Sequence, residues 1–165
     1  MQCLRCCFVL RRFAPLAVFA LSTFAPTSWA TDVSYDFVAC TDAKITALEA
    51  SAELTAFGSE SWGVVSSSTN KDWENATTHC VGYLRIMAGK PVGKGVCKWR
   101  ISTGETAVGE YELPAVGEAS WHWLIGTGKL KGITGSGTFK SLHSGSIQPG
   151  TTQGCRRDWG SYTLP

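Results

Sequence analysis

Residues 121–140 read WHWLIGTGKLKGITGSGTFK, and the fold turns on how that stretch is read. Ser120-Trp121-His122-Trp123-Leu124-Ile125 places both tryptophans on one face and His122 on the other, the period-two pattern of a strand with one buried face. Gly126, Gly128, Gly132, Gly135 and Gly137 follow closely. Glycine at that density marks backbone that bends tightly or takes positive φ. The stretch therefore predicts a strand, a tight glycine-spaced turn and a second strand. It does not predict a phosphate loop. Gly126, Gly128 and Gly132 miss the dinucleotide spacing by one, Gly128-Lys129 is followed by Leu130 rather than Ser or Thr, and no helical pattern comes after.

Outward from that stretch the same signature repeats. Residues 32–38 alternate as a first strand, and residues 61–68 and 106–113 read as two more. Residues 43–56 contain good helix formers with Thr41 or Asp42 as a possible cap, yet they sit within a run of strands, and a strand is the favoured reading. Residues 69–76 form a polar loop, 115–119 a turn and 144–154 a loop bearing glycine and proline, while 157–164 read as a closing strand. Residues 78–87 and 93–101 form a hairpin about Ala88-Gly89. If Cys80 faces Cys97, paired positions sum to a constant, and the centre of that register falls between those two turn residues. Directly opposed residues of a non-hydrogen-bonded pair lie within disulfide reach, so Cys80–Cys97 is the first pairing expected. Cys40–Cys155 follows, tying the N-terminal strand region to the C-terminal one.

The compartment is read from the first thirty residues. Arg5, Arg11 and Arg12 precede a short apolar run over residues 13–24, and Ser28-Trp29-Ala30 offers small residues where a signal peptidase cuts. The run is too short to span a bilayer, which takes roughly 20 residues. Residues 1–30 are thus expected to be a signal peptide and residues 31–165 a single domain, periplasmic or secreted, with no stable membrane anchor after cleavage. Three of the 15 basic residues lie in the leader, which leaves 12 against 13 acidic ones, a net charge of −1. No nucleic-acid surface is implied. Cys40, Cys80, Cys97 and Cys155 remain after cleavage, an even set suited to two disulfides in an oxidising compartment. Their spacings are not those of a zinc site, and neither metal nor cofactor is expected.

Eight or nine short strands without βαβ alternation are best satisfied by a closed antiparallel barrel of about eight strands, since closure leaves no exposed edge. The segment Gly126-Thr127-Gly128-Lys129-Leu130-Lys131-Gly132-Ile133-Thr134-Gly135 resembles the glycine motif of the allene oxide cyclase and dirigent barrels, with Leu130 where an aromatic is usual. More widely, Thr77-Thr78-His79-Cys80-Val81-Gly82, Gly95-Val96-Cys97-Lys98-Trp99 and Trp159-Gly160-Ser161-Tyr162-Thr163-Leu164 look like a group of uncharacterised exported bacterial β-barrel proteins. The resemblance implies an all-β, calycin-like or allene oxide cyclase-like barrel and carries over no catalytic residue.

His79, His122 and His143 lack a G-x-S-x-G elbow to serve, and a disulfide at Cys80 would leave His79 no thiolate to activate. Glu110 and Glu112 share a strand face that is expected to be solvated, with Tyr111 and Leu113 pointing inward. Six tryptophans remain after the leader: Trp62, Trp73, Trp99, Trp121, Trp123 and Trp159. A small eight-stranded barrel fills its interior with such rings or holds one small ligand. A packed aromatic core is the simpler expectation. If a pocket exists, Trp99, Tyr111, Trp121 and Trp123 are expected to line it, with Arg85 or Arg100 as an anion contact at its rim. The functional expectation is an exported non-enzymatic barrel that binds a small apolar ligand or a protein partner. The alternatives are an isomerase or cyclase acting in the barrel cavity, and a structural or surface-interaction module.

Overall fold

The computed structural model describes residues 30–165. The leader expected over residues 1–30 therefore lies, apart from Ala30, outside the described residues. Eight strands follow in order: β1 (Thr31–Ala50), β2 (Leu54–Ser68), β3 (Thr77–Met87), β4 (Lys90–Arg100), β5 (Thr106–Leu113), β6 (Ala119–Gly126), β7 (Thr134–Gly145) and β8 (Thr151–Leu164). Each pairs antiparallel with its neighbours in sequence, and β8 pairs with β1 to close a barrel. The expected register of the β3–β4 hairpin holds from Thr77↔Arg100 through Cys80↔Cys97 to Met87↔Lys90. Ala88 and Gly89 between the strands both take positive φ, 50° and 74°, the geometry a two-residue turn needs to match the strand twist. Both disulfides form as expected, Cys80–Cys97 and Cys40–Cys155, each with Cα atoms 4.0 Å apart. The first lies inside the barrel and the second outside, across the seam where β8 meets β1.

Three stretches differ from the sequence reading. The loop expected over 144–154 shrinks to 146–150, because β7 runs to Gly145 and β8 starts at Thr151, and the two strands pair with each other there. Residues 43–56 are not one strand but the end of β1, a turn at 51–53 and the start of β2. Extended structure prevails over helix propensity there because Ala43 and Lys44 are paired on both sides, to β2 and to β8. The glycine motif is longer than a tight turn. It contains a single 3₁₀ turn, Gly128–Leu130, and β6 pairs with β7 only from Ala119↔Phe139 to His122↔Ser136. Leu130 and Ile133, 0% and 1% exposed, are among the core residues beyond the last of those pairs. Gly126 is required because a Cβ there would strike the Leu130 carbonyl, and Gly132 and Gly135 because their φ values are +79° and +128°.

The barrel has two unlike ends. Loops 69–76, 101–105 and 127–133 gather at one, and loops 51–53, 88–89, 114–118 and 146–150 at the other. At the first end Trp73, on the 69–76 loop, is fully buried and stacks on Trp123 with centroids 4.9 Å apart. It also meets the rings of Phe37, Trp99 and Tyr162. The loop is held by Val65 N–H donating to the Ala76 carbonyl at 2.8 Å, and by a Lys129–Asp72 ion pair at 2.6 Å that ties it to the glycine segment. Further in, the rings lie over strand positions that carry no side chain. A Cβ on Gly95 or Gly109 would come within 2.5 Å of Tyr111 or Trp121, and one on Gly137 or Gly160 would collide with the Tyr35 hydroxyl. Inward glycines thus make room for a layer of large aromatics, and Trp121 Nε1 donates to Tyr35 Oη at 2.6 Å within it. This end of the barrel is solid.

Candidate functional site: the cavity at the open end

Towards the other end the inward positions become smaller and the interior opens into a cavity of about 420 Å³. Ile45, Phe57, Leu84, Leu113 and Phe139 give it apolar walls, and Thr41, Ser59, Ser61 and Thr152 add hydroxyls. The size and the mainly apolar lining are those of a small-molecule site. Each wall residue sits there through the two-residue period of its strand: Thr41, Ala43 and Ile45 on β1, Phe57, Ser59 and Ser61 on β2, Tyr111 and Leu113 on β5.

Of the four residues expected to line a pocket, Tyr111 does so. Trp99, Trp121 and Trp123 stand together in the packed core beneath, 0%, 3% and 5% exposed; Trp99 and Trp123 meet Trp73, and Trp121 meets both of them. The structure thus divides the four between two layers. Burial raises the pKa of the Tyr111 hydroxyl, an effect that Arg156 and a hydrogen bond with Ser59 partly offset. Arg85 and Arg100 are exposed and neither lines this cavity. As expected, Glu110 and Glu112 point outward, Glu110 towards His122 at 3.4 Å and Glu112 towards Lys94 at 3.4 Å. His79 stacks on the exposed ring of Trp62 and meets Glu60 at 2.8 Å.

The charged residues of the interior come from β8. Arg156 lines the cavity, its guanidinium carbon 5.1 Å from the Phe139 ring and 5.7 Å from that of Trp99. Its Nε donates to Asp158 Oδ2 at 3.1 Å. Asp158 is 1% exposed, and its Oδ1 has no hydrogen-bond partner among the described residues. Burial in the aromatic layer raises the Asp158 pKa, and Arg156 only partly opposes that. Burial likewise raises the pKa of the Tyr35 hydroxyl, and the neighbouring Asp158 adds to the effect.

These two residues were readable in principle. Tyr162 is an obvious core residue, and period two from it puts Gly160, Asp158 and Arg156 on the same inward face. Charge argued the other way, since a charged side chain is by default placed outside.

The raised Asp158 pKa makes stability depend on pH. An acid whose folded pKa lies above its unfolded value, about 3.9, binds its proton more tightly in the native state. Its favourable contribution is complete below the unfolded value and is lost as pH rises through the folded one. Wild type is expected to lose stability relative to Asp158→Asn across that window, by at most about 1.4 kcal/mol per pH unit. Urea midpoints of the two proteins at a series of pH values check this, and parallel curves would contradict it.

Fold and cavity together define the class, a closed eight-stranded barrel with one end packed solid and the other open to a pocket. No family model matches the chain, and a search of curated proteins finds no match. Among solved structures the chain is similar to the pterocarpan synthase dirigent protein GePTS1, with a TM-score of 0.51 and 10% identity over 87% of this chain and 99% of that one. At that identity the likeness shows the fold, a dirigent-like barrel.

Proposed function

We propose that the protein is an exported, non-enzymatic binding barrel that takes a small, largely apolar ligand through its open end. The observation that carries this reading is the asymmetry of the interior. Aromatic rings fill one half, while the other half keeps about 420 Å³ behind apolar walls. A barrel needing only a core would be filled throughout. Export, with residues 1–30 removed and 31–165 folding as one domain, is supported by two disulfides that suit an oxidising compartment. The resemblance to exported bacterial barrels points the same way. Among the described residues no helix is long and apolar enough to cross a membrane.

Phenylnaphthylamine, an uncharged dye that fluoresces in apolar surroundings, tests the reading. Wild type should bind it, and Ser59→Trp, which puts an indole into the cavity from β2, should weaken binding by tenfold or more while the melting curve keeps its shape. Wild type that leaves the dye dark, or a variant that binds it unchanged, would count against the cavity as the site.

A second reading is favoured by Asp158. A buried carboxyl with a raised pKa is a proton donor placed next to the pocket, and the dirigent protein of similar fold is a synthase. An isomerase or cyclase acting in the same cavity would lose turnover in Asp158→Asn while still binding its substrate.

A further inference from the structure

The cavity has apolar walls but a charged floor, and the floor narrows the chemistry of what fits. Among the described residues Arg156 is the single charged side chain that lines it, and none of the lining side chains is a carboxylate. Its guanidinium is fixed on three sides, by Phe139 and Trp99 near its carbon and by Asp158 at Nε. Its terminal nitrogens Nη1 and Nη2 have no hydrogen-bond partner among the described residues. Arg156 is 20% exposed against 1% for Asp158, so the pair is accessible from the arginine side and closed from the carboxylate side.

A guanidinium presents paired N–H groups in one plane, which match the two oxygens of a carboxylate or sulfonate. Here that plane is held beforehand, so a ligand does not have to order it. The neighbouring rings lower the local dielectric and strengthen any charge–charge contact made there. Asp158 occupies only Nε and leaves the far end of the fork open.

Resting on the reading of the cavity as a ligand site, we propose that the ligand is a planar apolar molecule ending in an anionic oxygen group, with its rings between Phe57, Leu84 and Leu113 and its anionic end clamped by Arg156. The outward-facing Arg85 and Arg100 cannot do this, because neither lines the cavity.

Two dyes sharing one ring system separate this proposal from the reading beneath it: anilinonaphthalene sulfonate, and phenylnaphthylamine, which lacks the sulfonate. Wild type should bind the sulfonate more tightly than the amine. Arg156→Gln should weaken the sulfonate roughly ten- to a hundredfold, the span of a charge-assisted hydrogen bond, and change the amine less than about twofold. Arg156→Lys, which keeps the charge without the fork, should fall between. If Arg156→Gln does not fold, the Lys variant and the wild-type ratio still decide. Wild type binding the amine at least as tightly as the sulfonate, or Arg156 variants binding the sulfonate like wild type, overturns the proposal and leaves the cavity reading standing. Neither dye bound, or both unaffected by Ser59→Trp, overturns the cavity reading itself.

Discussion

Trp73→Ala is expected to cost the fold about 3–5 kcal/mol, the range for truncating a fully buried large aromatic. Against a net stability of about 5–15 kcal/mol for a typical domain, that is a large share. The indole is 0% exposed and lies within 6.5 Å, centroid to centroid, of Tyr35, Phe37, Trp99, Trp123 and Tyr162. Those rings belong to strands that close the barrel from different sides, so collapse around the void would require them to move together. Trp62→Ala is the matched control. That ring is 48% exposed and, among the described residues, stacks on His79 alone, and its loss should change stability by less than about 1 kcal/mol. Equilibrium urea unfolding of the two variants checks the contrast. Equal losses would show that the loop carrying Trp73 does not plug the barrel.

Replacing Cys40 and Cys155 together by alanine should cost about 4–5 kcal/mol. The bridge spans 115 residues between the first and last strands, and in the chain-entropy account a loop of about 100 residues is worth about 4.7 kcal/mol. The seam it crosses has other support: fourteen residue pairs join β1 to β8, and an Arg157–Asp36 ion pair at 2.8 Å lies across it. The variant should therefore still fold at low temperature, with a lower urea midpoint. A midpoint within about 0.3 M of wild type (order of magnitude from the usual urea slope) would show that strand pairing alone holds the seam.

How far the sequence announces this fold differs from element to element. The Ala88-Gly89 turn and the cysteine register were readable because a hairpin's pairing is fixed locally by its turn, and the structure has that register residue for residue. The alternation of Trp121 and Trp123 with His122 was readable for the same reason, since both indoles are buried and the imidazole is not. Residues 43–56 were ambiguous because their composition favours helix, while their strand state is set by the pairing of β1 with β2 about the 51–53 turn and, at Ala43 and Lys44, with β8. Trp73 was hidden inside a loop of polar neighbours, where no periodicity marks a buried position. The division of the interior into a packed half and an open half was out of reach as well. It depends on which inward positions carry rings and which carry glycine or serine at the same height of the barrel, and that height is set by strand stagger. Arg156 and Asp158 obey the period counted back from Tyr162, but the closing strand was expected only from residue 157, and a charged side chain carries no sign of facing inward.

We place the ligand in the half-empty end of the barrel and on no outer face. Two-dimensional amide NMR of the labelled protein, titrated with anilinonaphthalene sulfonate, locates the bound dye residue by residue. The largest shift changes are expected on Ser59, Leu84, Tyr111, Phe139 and Arg156. Shifts confined to the outward residues Trp62, Val81 and Val96, with those five unmoved, would contradict that placement.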